Sequence, residues 1–259
     1  MLFISLIACR SVEPAPESIE ELSHYFWQHY ENEDEAVLAE GIISAFKAID
    51  PESLEEPMRG SITDLSLEEL ELVGKEAEEN YENMAGIFFA NIINCPIDVV
   101  ERGVYALNQG DRHEGDYTDY DRVYTSDLDE YESRESDSLY WTTNYSIEQI
   151  TKKMSVEING EISYFPEVND QQTPHGSFFL SRGIMAGDAY FEGSDEHGMF
   201  QDYQLEVYFQ LSETQTVHYF TIWRDVLYTD SMDFSTEGLQ NLVLDGMIDW
   251  DLDAELECQ

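Results

Sequence analysis

The chain has 259 residues, which is enough for one or two domains with a buried core. Hydrophobic residues make up 42% and aromatic residues 13%, and this composition excludes an intrinsically disordered chain. Twelve Lys and Arg residues against 56 Asp and Glu residues give a net charge of -44, so the folded body would repel nucleic acid and anionic membrane surfaces. We therefore expect no nucleic acid among its partners.

The first element is a short apolar run that ends in a cysteine, Met1-Leu2-Phe3-Ile4-Ser5-Leu6-Ile7-Ala8-Cys9. It is too short to cross a bilayer as a helix and is typical of the core of a signal peptide. The segment Leu6-Ile7-Ala8-Cys9 resembles the lipobox of bacterial lipoproteins. This resemblance implies a signal peptide over 1–8, acylation of Cys9 and a tether over 9–17. The alternative is a buried N-terminal strand or helix with an incidental cysteine.

The lipobox resemblance also implies a location. In that family the residue after the cysteine influences sorting, and Arg10 is not the aspartate associated with retention in the inner membrane. We therefore expect a lipid-anchored protein of the cell envelope, in the outer membrane rather than the inner one, with the face of the membrane left open.

With Cys9 acylated, Cys95 and Cys258 remain as an even pair in an oxidising compartment, which predicts a disulfide between them. The alternative is two buried free thiols.

The region 18–83 is predicted to be helical. Ser18-Ile19-Glu20-Glu21 forms a capping box that opens a helix over about 18–30, and apolar spacing predicts a second helix over about 33–49. Asp50-Pro51 ends that helix. A second capping box, Ser66-Leu67-Glu68-Glu69, opens a short helix through Leu72.

From residue 84 the pattern changes to that of an α+β domain, which we assign to 84–259. A buried strand is predicted over 86–93, a helix after Pro96, and a loop over 110–136 with a short helix near 127–134. Alternating residues then predict strands near 139–147 and 154–158, and Asn159-Gly160 predicts a hairpin turn. Further strands are expected near 178–191, 200–212 and 216–228.

The final segment is predicted to be an amphipathic helix over about 236–256, because its apolar residues repeat at close to 3.6 positions. The alternative is two strands joined by a turn at Asp245-Gly246. The helix gives an α+β fold in which a curved antiparallel sheet packs on a C-terminal helix. The alternative is an antiparallel β-barrel with N-terminal helices.

This order of elements over 84–259 resembles the helix-grip architecture of the START and polyketide-cyclase-like superfamily. In that architecture a curved antiparallel sheet wraps the last helix and leaves a cavity. The resemblance implies a cavity for an apolar or lipid-like small molecule. Its candidate ligand-binding residues are Trp141, Tyr145, Phe209, Phe220 and Trp250. Ordinary core packing is the alternative role for each of them.

Motifs that carry chemistry are absent from the sequence. The six histidines never fall in a metal-binding spacing, and there is no nucleophile elbow, phosphate-binding loop or dinucleotide fingerprint. Asp249, Asp251 and Asp253 alternate as at the start of an EF-hand loop, but Ala254 replaces the required glycine. Four aspartates near 111–121 could gather around a calcium ion, but a chain with 56 acidic residues forms such clusters by composition alone. We therefore expect no catalytic residue, no metal and no cofactor.

Two functions follow from these expectations. The first is a membrane-anchored envelope lipoprotein that binds an apolar or lipid-like small molecule. The alternative is an envelope lipoprotein that binds another protein and has no ligand cavity. An enzyme has the least support, since the sequence suggests no pair of residues as acid and base.

Overall fold

The computed structural model describes residues 14–31, 35–74, 84–112, 117–149, 152–165, 176–229 and 232–258. The predicted acylation site Cys9 and the predicted signal peptide at 1–8 lie outside these residues, as does the first part of the predicted tether. The helices are α1 (Ile19–His29), α2 (Glu35–Ile49), α3 (Leu67–Glu71), α4 (Ile97–Tyr105), α5 (Gln109–Arg112), α6 (Leu128–Glu132) and α7 (Glu237–Glu257). The strands are β1 (Met58–Ile62), β2 (Ala85–Ile93), β3 (Asp119–Tyr124), β4 (Ser138–Gln149), β5 (Lys152–Phe165), β6 (Phe178–Met185), β7 (Ala189–Tyr190), β8 (Gly198–Ser212), β9 (Gln215–Thr229) and β10 (Met232–Asp233).

The strands form one antiparallel sheet in the order β1-β2-β9-β8-β6-β5-β4-β3, with β7 added to β8 and β10 to β9. β1 and β3 lie at opposite ends of this order, so the sheet is open over the described residues. The predicted α+β fold, with N-terminal helices, an antiparallel sheet and a C-terminal helix, is therefore confirmed. The alternative of a β-barrel is wrong, because β1 and β3 pair with their inner neighbours and, within the described ranges, not with each other.

Helices cover both faces of this sheet. On one face, which we call the α1/α2 face, both N-terminal helices pack on side chains from β1, β2, β6, β8 and β9, with Trp27 and Trp223 near its centre. On the other, the α7 face, Leu244 and its neighbours on α7 pack on β2, β5, β6 and β9. This double coverage explains why β9 is apolar on both sides, because alternate residues of the strand enter different cores.

The N-terminal region shares its core with the rest of the chain. Ser18 and Ser66 cap α1 and α3 as the capping boxes predict. β1 was not predicted; it pairs with β2 at the sheet edge, with Gly60 opposite Phe88. The Gly60 position has room for the Phe88 ring only because it carries no side chain. The boundary between 83 and 84 borders undescribed residues and stays a prediction.

The predicted hairpin at Asn159-Gly160 is wrong. β5 runs through both residues without a turn, and β4 and β5 pair from Ser138 with Ser163 to Gln149 with Lys152. Gly160 lies opposite Trp141, whose indole ring occupies the space that a side chain at 160 would need. The glycine therefore serves a close contact between neighbouring strands rather than a turn.

The end of the chain follows the predictions. α7 is continuous from Glu237 to Glu257, so the alternative with a turn at Asp245-Gly246 is wrong. Cys95 and Cys258 form the predicted disulfide, with their Cα atoms 5.6 Å apart. No helix among the described residues has both the length and the apolar character needed to cross a bilayer.

Candidate functional site

The space between the sheet, α4 and α7 is the candidate site. It holds a cavity of about 20 Å³, which is room for about one water molecule. Its walls are mostly apolar and come from β2, α4, β8 and α7: Ile93, Val100, Gly103, Val104, Tyr208, Trp250, Asp251, Asp253 and Ala254. The interior that the resemblance predicts as a ligand cavity is thus nearly closed in this conformation.

A buried ion pair lies beside this cavity. His218 of β9 is 1% exposed, and its Nδ1 donates to Oδ1 of Asp251 on α7 over 2.7 Å. The other carboxylate oxygen, Oδ2, accepts a hydrogen bond of 2.8 Å from the amide of Asn91 on β2. The sequence brings these groups together because Asn91 and His218 are paired residues of β2 and β9, on the face covered by α7.

Two residues of β8 extend this cluster. The hydroxyl of Tyr208 donates to Oε2 of Glu206, and the same carboxylate oxygen is 3.6 Å from Nε2 of His218. The Tyr208 and His218 rings stack with centroids 4.3 Å apart. At 3.6 Å Nε2 has no hydrogen-bond partner among the described residues. His218 is therefore an imidazole held between two carboxylates inside the protein.

This environment changes the protonation of His218. Burial by itself lowers the pKa of the imidazole, but the charge of Asp251, its hydrogen bond and the nearby Glu206 outweigh burial and raise the pKa to about 9. Burial and Glu206 raise the pKa of the Tyr208 hydroxyl. At neutral pH His218 is thus a buried cation.

Stability is expected to fall as the pH rises from the unfolded histidine pKa of about 6.5 through about 9. The folded chain binds the His218 proton more tightly than the unfolded chain, so this contribution is complete below the lower value and is lost above the upper one. Urea unfolding over this range measures the effect, with His218→Gln as the control. An equally steep loss of stability in the variant would contradict the assignment to His218.

A second ion pair gives the α7 face further polar character. Nη2 of Arg224 lies 2.6 Å from Oδ2 of Asp202, and Asp202 also accepts from the amide of Gln204. Both charged side chains are buried. Burial and the charge of Asp202 raise the pKa of Tyr145, which is on the same face. The core between the sheet and α7 therefore contains paired charges as well as apolar side chains.

The structure places four of the five predicted ligand-binding residues around the α7 side of the sheet. Trp141, Tyr145 and Phe220 lie on the α7 face, and Trp250 lies on α7 and lines the cavity. Phe209 belongs instead to the core of the α1/α2 face, so the sheet separates it from the other four. Of the five, Trp250 borders this cavity, and Tyr145 borders a second, more open and more polar one of about 470 Å³ between β3, β4, β5 and residues 186–189.

The residues that form the ion pair were missed by sequence reasoning. Asp251 was considered only as part of an aspartate alternation, although it falls on the buried stripe of α7, seven positions after Leu244. An acid at such a position indicates a buried partner. His218 is the only histidine within the apolar run of β9, and this also was a usable signal. No group of three or more His, Cys, Asp or Glu side chains in the described ranges could hold a metal.

Comparison with known proteins gives similarity at the level of architecture only. No protein-family model matches the chain, and no curated protein matches it. Among solved structures, the human StarD13 lipid transfer and protein localization domain aligns with 84% of this chain and 96% of its own, at 9% identity and a TM-score of 0.42.

Two further solved structures show the same level of similarity. Human STARD10 aligns with 75% of this chain and 81% of its own, at 9% identity and a TM-score of 0.44. The Zhui aromatase/cyclase of Streptomyces sp. R1128 aligns with 68% of this chain and 90% of its own, at 9% identity and a TM-score of 0.39. At these values the likenesses carry no argument about ligand or activity.

Proposed function

We propose that this protein binds a small apolar molecule between the sheet, α4 and α7. The observation that carries the proposal is the cavity itself, with apolar walls from α4 and α7 and the buried His218–Asp251 pair beside it. Ligand pockets also combine mostly apolar walls with a few polar groups, although their volumes are several hundred Å³, roughly tenfold or more larger than this cavity.

Binding requires α7 to move away from α4, because a cavity of about 20 Å³ admits only water. The moving wall consists of Trp250 and Ala254, which face Val100 and Val104 of α4. Separation of these side chains would enlarge an apolar space and expose Asp251 at its edge. The bound molecule would then gain apolar burial on one side and polar contacts on the other.

A binding titration with the neutral fluorescent probe phenylnaphthylamine tests the proposal. We expect the full chain to bind the probe, and Ala254→Leu to lose this binding because the larger side chain fills the cavity. Asp249→Leu is the matched control, since it adds the same side chain at an exposed position of α7. Absence of binding to the unchanged chain, or equal binding by Ala254→Leu, would count against the proposal.

We also propose attachment to an envelope membrane through acylated Cys9. The support is the segment Leu6-Ile7-Ala8-Cys9, which lies outside the described residues. One acyl chain on an N-terminal cysteine gives reversible membrane binding, and two give stable anchoring. Neither requires a membrane-spanning helix. Labelling in cells with an alkyne fatty acid should mark the membrane fraction, and Cys9→Ala should abolish the label while Ser11→Ala keeps it. Label that persists in Cys9→Ala would disprove acylation at this residue.

A second candidate function is binding to another envelope protein. Three leucines of α7 are exposed to solvent, by 62% at Leu242, 52% at Leu252 and 66% at Leu256. Exposed apolar side chains on one helix fit a protein contact. Replacing Leu252 and Leu256 by Glu should then remove a co-purifying envelope protein without changing probe binding. The opposite result, lost probe binding with the partner retained, would favour the small-molecule site.

A further inference from the structure

Three contacts fasten the last two turns of α7 to β2 and to the residues just after it. The residues at this end of α7, including Cys258, which caps the helix, are spaced four and three positions apart and so lie on one side of it. Each has a partner on β2 or within two residues of its end: Asp251 with Asn91, Glu255 with Asn94, and Cys258 with Cys95. We call residues 250–258 the terminal segment.

The terminal segment is also a wall of the candidate site. Trp250, Asp251, Asp253 and Ala254 line the cavity, and Ala254 and Cys258 pack against the core that includes Val100 and Val104 of α4. Any opening of the site between α4 and α7 must therefore move the terminal segment. The contacts that hold this segment also hold the site closed.

The three contacts differ in how they break. Oε1 of Glu255 accepts two hydrogen bonds of 2.8 Å from the backbone and side chain of Asn94, and both are exposed to solvent. Such contacts open and close spontaneously. The disulfide opens only by reduction, and it holds the last residue of the segment beside Pro96, where α4 begins. Cys258 is half-buried whereas Cys95 is fully buried, so the bond has one side near solvent.

We propose that the Cys95–Cys258 disulfide is a redox latch on the candidate site. A dithiol reductant gives two electrons and two protons to the bond, becomes a disulfide itself, and leaves two thiols on Cys95 and Cys258. The terminal segment is then held only by its polar contacts and by packing, so it opens more often and admits an apolar molecule. This inference rests on the proposed function and adds its regulation: the site is closed in an oxidising compartment and opens in a reducing one.

Hydrogen exchange and probe uptake, measured together on the full chain, test the latch. The oxidised chain is compared with the chain held in dithiothreitol and with Cys258→Ser, which lacks the bond without any reductant. We expect two rates to rise by at least about tenfold in both forms that lack the disulfide, the reduced chain and Cys258→Ser. These are the rate of amide exchange in the terminal segment and the rate of phenylnaphthylamine uptake. Exchange in α1 and α2, on the other face of the sheet, should stay unchanged. If Cys258→Ser does not fold, the comparison of the oxidised and reduced chain without any substitution decides the test alone.

The possible outcomes separate the latch from the binding proposal. Faster exchange together with faster uptake supports the latch. Equal uptake by the oxidised and reduced chains overturns the latch and leaves the binding site intact. Exchange of the terminal segment that does not change on reduction also overturns it. Absence of uptake in every form, with faster exchange in the reduced ones, shows instead that the proposed small-molecule function has failed.

Discussion

Replacement of Asp251 by alanine is expected to lower the free energy of unfolding by about 3–5 kcal/mol, the cost of removing one partner from a buried ion pair. The change leaves the imidazole of His218 without its hydrogen-bond acceptor in a site that is 1% exposed. It also leaves the amide of Asn91 without a partner for its 2.8 Å hydrogen bond. Urea unfolding at neutral pH measures the loss.

Asp249→Ala is the matched control, because it removes the same charge from an exposed position of the same helix. We expect the control to change stability by less than about 0.5 kcal/mol. The double variant His218→Phe with Asp251→Leu replaces the pair by apolar side chains and should recover part of the lost stability, while the amide of Asn91 stays without its partner. An Asp251→Ala variant as stable as the control would show that the pair does not hold α7 to the sheet.

Replacement of Gly160 by alanine is expected to destabilise the chain by about 3 kcal/mol, at the upper end of the range for overpacking. A Cβ atom at residue 160 would lie well under 3.0 Å from Nε1 of Trp141. Trp141 cannot simply turn away, because it is buried and the guanidinium of Arg122 lies over its ring at 4.8 Å. Thermal or urea unfolding measures the effect.

Gly187→Ala is the control for this second prediction, since nothing lies within 4 Å of a Cβ atom at that position. Trp141→Phe in the Gly160→Ala background should relieve the clash, so the two changes together should cost less than the sum of each alone. Additive losses would show that the contact between Trp141 and Gly160 does not limit the packing of β4 on β5.

The sequence predicted those elements in which local pattern and tertiary burial agree. α1, α2, α4 and α7 each carry an apolar stripe that the sheet or a neighbouring helix covers, so the period of 3.6 residues was sufficient. The strands β2, β4, β8 and β9 were predicted because their apolar runs or alternation agree with their burial, whereas β5 was predicted as two strands. β3 was missed because it is an edge strand in which the outward residues are Asp119, Asp121 and Val123, and this composition is also typical of a loop.

The hairpin at Asn159-Gly160 was mispredicted because a dipeptide reports only local turn preference. What decides the conformation of Gly160 is the Trp141 ring, 19 positions earlier in the chain, and no local rule contains that contact. The candidate site was inaccessible to sequence reasoning for a related reason. His218 and Asp251 meet only when α7 folds back over β9, so their pairing depends on the tertiary structure and not on spacing.

The disulfide has a topological consequence for the whole chain. It joins residues 163 positions apart and so encloses every described element from α4 to α7 in one covalent ring, whereas α1, α2, β1, α3 and β2 lie outside it. A single proteolytic cut within the ring leaves one covalent molecule that migrates as two fragments only after reduction. A cut between α2 and β1 releases the N-terminal helices from the covalent structure, and only packing against the sheet then retains them.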